Sequence, residues 1–167
     1  MTAAGKYNLT SSDGTTAVAG LGDEIEVGGT TFKYFIADGT IAAYSACTVQ
    51  NDYDAEEATT TTSGAKPTLV CIPQFAVADN EYFWAPIGPI APLTPYNDAV
   101  TGVPVTFKVL AAASCVASVK LYTTATDGVV DDAATDLIAG LFLTETITGA
   151  EAADCMAVQR LVTNCQD

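Results

Sequence analysis

Histidine is absent from this 167-residue chain, and basic residues are scarce. Six Lys and Arg stand against twenty Asp and Glu, for a formal net charge of −14 at neutral pH. Without imidazole there can be no His-based triad, no His-ligated zinc or iron, and no imidazole acid/base group near pH 7. Six scattered cations offer no electrostatic footprint for phosphate backbones or anionic lipid, so neither nucleic acid nor a membrane is expected as a partner. No apolar run is long enough to span a bilayer, and the start lacks a signal-peptide core, so synthesis and folding in the cytoplasm are expected. The glycine signatures of phosphate loops, nucleophile elbows and dinucleotide sites are missing, as is any C-x-x-C pair. The five cysteines, Cys47, Cys71, Cys115, Cys155 and Cys165, are odd in number and widely spaced. They read as buried thiols, with Cys71 and Cys115 inside apolar runs and acting as small hydrophobes. Cys155 and Cys165 are the best candidates for a late oxidative pair.

What the chain does contain is threonine, alanine and short alternating apolar segments, a pattern that fits pleated strands better than helices. Gly28-Gly29 between Asp23–Val27 and Thr30–Ile36 predicts a tight hairpin, since both turn positions can take positive φ. Asp38-Gly39 marks the next turn, followed by a strand near 40–49. Residues 50–66 turn polar and predict a long exposed loop. A turn at Asp79-Asn80 precedes Glu81–Ala85, and Val103–Leu110, Cys115–Thr124 and Ala139–Ile147 are further alternating segments. The tail is ambiguous: Thr148-Gly-Ala-Glu151 fits a capping box opening a short helix over 150–160, while Met156–Thr163 fits a closing strand. At this length one domain is expected. The expected fold is mainly β: a single β-sandwich or barrel-like domain over 21–167, an extended N-terminal arm over 1–20, and at most one short C-terminal helix.

Carboxylates are the remaining route to acid/base catalysis, and nothing in the sequence isolates one in an apolar setting. Asp13-Gly14-Thr15, Asp38-Gly39-Thr40 and Asp127-Gly128-Val129 invert the order an aspartic protease needs and read as turns. Asp52, Asp54, Glu56 and Glu57 cluster as in an oxygen-ligand calcium loop, but without the EF-hand spacing or its glycine, so a solvated loop is expected and no metal or cofactor. Pro86, Pro89, Pro92 and Pro95 recur every third residue, which keeps a segment extended; the apolar Ile87, Ile90 and Leu93 between them argue for inward packing rather than an SH3-type ligand. Tyr82, Phe83 and Trp84 are consecutive, and Tyr96 follows. Alternation puts Phe83 on one face of a strand and its neighbours on the other. One face should be core, and the second, with Tyr82, Trp84, Pro86 and Tyr96, is either core as well or a candidate subunit interface.

The run Val70-Cys-Ile-Pro-Gln-Phe-Ala-Val-Ala-Asp79-Asn80-Glu81-Tyr82-Phe83-Trp84-Ala-Pro-Ile-Gly88 resembles a pattern of the small decoration, or cement, proteins on tailed-bacteriophage heads. That family commonly has Gly where this chain has Phe83. Lys120–Asp132, with Asp127-Gly128-Val-Val-Asp131-Asp132, and Ile138-Ala-Gly140-Leu141 resemble the later part of such proteins. The resemblance covers roughly residues 66 to 148. It implies a β-rich, non-enzymatic virion protein that binds the major capsid protein from outside, commonly as a homotrimer. The strong negative charge suits an exposed particle surface. The rival expectation is a surface adhesin or glycan-binding module stacking sugars on Tyr82, Trp84 and Tyr96; a carboxylate hydrolase ranks third.

Overall fold

The computed structural model describes residues 7–63, 67–90, 106–133 and 136–163. Among these residues regular structure is entirely β, in eleven strands. The first hairpin forms as expected: β1 (Glu24–Val27) and β2 (Thr30–Ala37) pair antiparallel around Gly28 and Gly29, whose φ angles are 61° and 80°. β3 (Cys47–Val49) and β4 (Asp54–Glu57) follow, then β5 (Val70–Cys71) and β6 (Tyr82–Pro86). β1 and the parallel β4 share one edge of β2, and β6 runs antiparallel along the other. The path continues from β4 to β3 and β5. This sheet curls into a half-barrel, with the Ile72 amide at its β5 end donating to the Pro86 carbonyl of β6 at 3.2 Å.

The second half of the chain forms a closed five-stranded barrel in the order β10-β11-β7-β9-β8. Its strands are β7 (Phe107–Ala111), β8 (Leu121–Thr123), β9 (Val130–Asp131), β10 (Leu137–Leu143) and β11 (Glu151–Thr163). A closed sheet leaves no edge for another chain to pair with. The tail is therefore strand and not helix over 150–160, and the capping-box expectation is overturned. Ala153, Cys155 and Ala157 alternate into the interior of the barrel, where small side chains fit a narrow lumen. The backbone amides of this stretch satisfy β7 and β10, which a helix could not do.

Two other expectations change. Thr40–Val49 is strand only over β3, because Tyr44 takes a φ of 69° and residues 40–46 cross over to bond residues 73 and 77. The 50–66 loop contains β4, whose one buried residue is Ala55. Its backbone is held by β2 on one side and β3 on the other, so hydrogen-bond demand makes it a strand despite three carboxylates.

Two apolar clusters result. Phe35, Val49, Ala55, Phe83, Ala85 and Ile87 fill the half-barrel. The outer face of the same sheet, including Phe32, Tyr34, Val70 and Trp84, merges with the barrel residues Phe107, Val109, Leu121 and Leu141. The N-terminal segment, expected to reach outward as an arm, lies on this body from residue 7 onward, with Leu9 only 4% exposed. Polar contacts add Glu24, which takes Lys33 at 2.8 Å and Arg160 at 2.9 Å, linking β1, β2 and β11.

Gly88 tests the seam between the two halves. Its φ is 94°, and a Cβ there would stand 2.3 Å from the Gln159 carbonyl oxygen of β11. Gly88→Ala is expected to cost about 3 kcal/mol or more in urea denaturation. Gly39→Ala, at a φ of 89° but with open space around it, should cost about 1 kcal/mol.

Candidate functional site

The aromatic residues singled out in the sequence lie on β6, and the structure places them unequally. The carbonyl of Glu81 accepts from Ala37 and the amide of Ile87 donates to Thr31, so odd-numbered positions of β6 bond β2; on the side-chain faces, Phe83 and Ala85 pack into the half-barrel interior. Tyr82 and Trp84 face the other way. Trp84, weighed between an interface and the core, is core at 1% exposure, and the candidate interface residue Pro86 is also buried within the chain. Alternation correctly separated two faces of β6, but the barrel and the N-terminal segment cover the second face. Tyr82 is half-buried, and Tyr96 lies outside the described residues.

Around Trp84 the rings form a continuous wall. Tyr34 stacks on Tyr82 at 5.9 Å with planes 16° apart, tilts against Trp84 at 4.9 Å, and Tyr7 meets Trp84 edge-on at 5.0 Å. The chain covers this wall with its own N-terminal segment. The Asp13 amide donates to the Tyr82 carbonyl at 2.8 Å, and the Tyr82 amide donates to the Gly14 carbonyl at 2.9 Å. The Val18 amide donates to the Tyr34 hydroxyl at 3.1 Å, and the Ser12 hydroxyl donates to Glu81 at 2.6 Å. Burial raises the Asp13 carboxyl above its ordinary range, opposed by the nearby Tyr34 hydroxyl; burial likewise raises the Tyr34 phenol. The packing of Asp13 against Tyr34 has no sequence signal, because only the fold brings residue 13 onto residue 34.

The acidic residues gather on a different face. An open groove of about 720 Å³ runs between the 50–53 turn and residues 67–69, with Asp52, Glu56 and Thr62 along it. A smaller cavity of about 240 Å³ is lined by Asp38, Glu56, Glu57 and Asp127. Burial, then the charges of Asp52 and Asp38, push the Asp54 carboxyl above its ordinary range. Glu57 has a structural task, accepting the Ala42 amide and the Ser45 hydroxyl, both at 2.7 Å.

A third cluster joins Cys115, Asp131 and Asp132, whose ligating atoms lie within 4.8 Å of one another. Each carboxylate accepts loop amides: Asp131 takes Asp132 at 2.7 Å, and Asp132 takes Val116 at 2.9 Å. The Cys115 thiol points at Asp131 from 3.5 Å, and burial raises its pKa to about 11. At neutral pH it is therefore a protonated thiol, suited to tying the 114–118 loop to the 131–133 turn and unsuited to nucleophilic attack.

No protein-family model matches the chain, and neither does any curated protein or solved structure.

Two substitutions test these assignments. Leu9→Ala should cost about 2–4 kcal/mol in urea denaturation, the range of a buried leucine, whereas a free arm would show no change. Asp54→Asn should raise Tm at pH 7. The folded-state pKa of Asp54 lies above its unfolded value, so ionisation costs stability as pH rises through it, and the amide removes that cost. The advantage of the variant should vanish near about pH 3, where the wild-type carboxyl is protonated in the folded chain.

Proposed function

We propose that this chain is a structural virion protein: a decoration or cement protein bound to the outer surface of a tailed-phage head, contacting the major capsid protein and acting as a homotrimer. The reading rests on the resemblance over residues 66–148, and one observation about those residues carries it. Several of the motif residues that the structure describes are scaffold positions. Asn80 turns the chain with a φ of 62°, Asp79 accepts the Gly39 amide at 2.9 Å, and Trp84, Ile138 and Leu141 are core. Asp131 and Asp132 hold loop amides. Residues that share a motif because they build a fold support a likeness of architecture, as a structural role requires.

The surface is consistent with that role. The acids lie largely at turns and on β4, with a few on β1, β9 and β11, while most strands bury apolar residues against their own core. A strongly acidic exterior keeps a crowded particle surface soluble and repels nucleic acid. The action would be mechanical: each copy straddles neighbouring capsid subunits, so separating them also breaks its contacts. A gain of about a few kcal/mol per copy multiplies over a shell. Burial of Trp84 weighs against the glycan-binding alternative, which needs that ring exposed.

The test is fractionation of phage particles from producing cells. The chain should sediment with intact heads and be released by mild treatment that leaves the shell whole. Recombinant protein should run as a species of three times the 17.2 kDa chain mass and bind shells lacking it. Recombinant protein that never binds bare shells would sink the proposal.

A further inference from the structure

All four cysteines among the described residues are unpaired thiols, and two of them stand directly opposite each other. β3 and β5 run antiparallel with Cys47 in register with Cys71. The Val49 amide donates to the Leu69 carbonyl two residues along, which makes Cys47 and Cys71 a hydrogen-bonded pair. Such a pair holds its Cα atoms about 5.5 Å apart. A disulfide accepts Cα separations of about 4.4–6.8 Å. Directly opposed residues project to the same face of a sheet, and both side chains lie inside the half-barrel. We propose that Cys47 and Cys71 are a latent cross-strand disulfide site, oxidised by an external low-molecular-weight disulfide to staple β5 to β3. This inference does not depend on the proposed virion role.

The position gives the bond a consequence. β5 has two residues, and its outer side reaches β6 through the Ile72–Pro86 hydrogen bond. A strand this short can open locally without the rest of the half-barrel coming apart. A covalent link from residue 47 to residue 71 would tie this end to the sheet and restrict the unfolded chain. Burial foremost, then the hydrogen bond and charge of Cys71, push the Cys47 thiol well above its ordinary range. Both side chains are 0% exposed, so the closed form is inert and exchange proceeds when β5 opens. The Cys71 thiolate then attacks the reagent disulfide, forming a mixed disulfide and releasing one thiolate. The Cys47 thiolate attacks the Cys71 sulfur and releases the second. Two protein S–H bonds and one reagent S–S bond are replaced by one protein S–S bond and two reagent S–H bonds. The pair expected from the sequence, Cys155 with Cys165, has no such support: Cys155 is buried in the barrel, and Cys165 lies outside the described residues.

The experiment is incubation of the folded, reduced full-length chain with oxidised glutathione, followed by alkylation, intact mass and non-reducing peptide mapping. The expected product has lost about 2 Da, the two thiol hydrogens, and carries a peptide linking Cys47 to Cys71. Its Tm should rise by about 5–10 °C and return on reduction with dithiothreitol. Cys71→Ser should show no shift in Tm with the same reagent; should that variant fail to fold, the wild-type peptide map decides alone. Recovery of both cysteines as free thiols, their linkage to other cysteines or to glutathione, or a linked product with unchanged Tm would overturn the proposal.

Discussion

The backbone hydrogen bonds of β11 hold this molecule together. Over 151–157 the strand pairs with β7 and β10 and closes the barrel. Between Ala139 and Leu141 of β10 the register shifts, and residues 158–161 of β11 bulge away from their partner. Backbone groups in and beside this bulge bond the other half of the chain: Ala157 exchanges bonds with Ile90, Leu161 donates to Ile87, and Thr163 donates to Thr68. One strand thus belongs to the barrel and borders the half-barrel. The close fit at Gly88 and the merged apolar cluster depend on that sharing.

Given this frame, the sheet of the half-barrel must be apolar on both faces, and its composition follows. β2 and β6 carry aromatic residues in succession because each face of each strand has something to pack against. Phe35 and Phe83 meet inside, 5.8 Å apart, while Tyr34 and Trp84 meet outside beneath the N-terminal segment. Most of the acids correspondingly lie at turns and on β4, and the charges on other strands are largely paired across them. Among the described residues, Lys33 and Arg160 are committed to Glu24, with Lys33 also 5.1 Å from the Tyr53 ring, and Lys108 to Asp154. The exposed pairs, Arg160 with Glu24 and Lys108 with Asp154, contribute little each and orient β11 more than they stabilise it, whereas Lys33 is buried.

Local features were legible because their causes are local. Gly28-Gly29 allows a tight hairpin whatever surrounds it, and Asp79-Asn80 supplies the left-handed turn before β6. The exclusion of helices from the alternating Thr-rich segments has the same character. Misreadings occurred where a distant partner decides. β4 has almost no apolar signal and exists because β2 and β3 leave backbone groups to satisfy. The tail carries a genuine capping-box pattern, yet the barrel needs its amides in a ladder. Trp84 was correctly assigned to the face opposite Phe83, but whether that face met solvent, a subunit or the chain itself could not be read from alternation.

By itself, the sequence determined a β-rich, strongly acidic chain without imidazole chemistry, and it placed the turns that residues one or two apart can specify. Strand pairing was decided only in three dimensions, because register depends on which backbones are left unsatisfied and on which apolar faces remain to be covered. That is why Cys47 and Cys71, twenty-odd positions apart and unremarkable in the sequence, face each other in one interior. It is also why a polar N-terminal segment that looked free lies folded over Tyr34, Tyr82 and Trp84. Side-chain chemistry is written along the chain, whereas burial belongs to whatever the chain brings alongside.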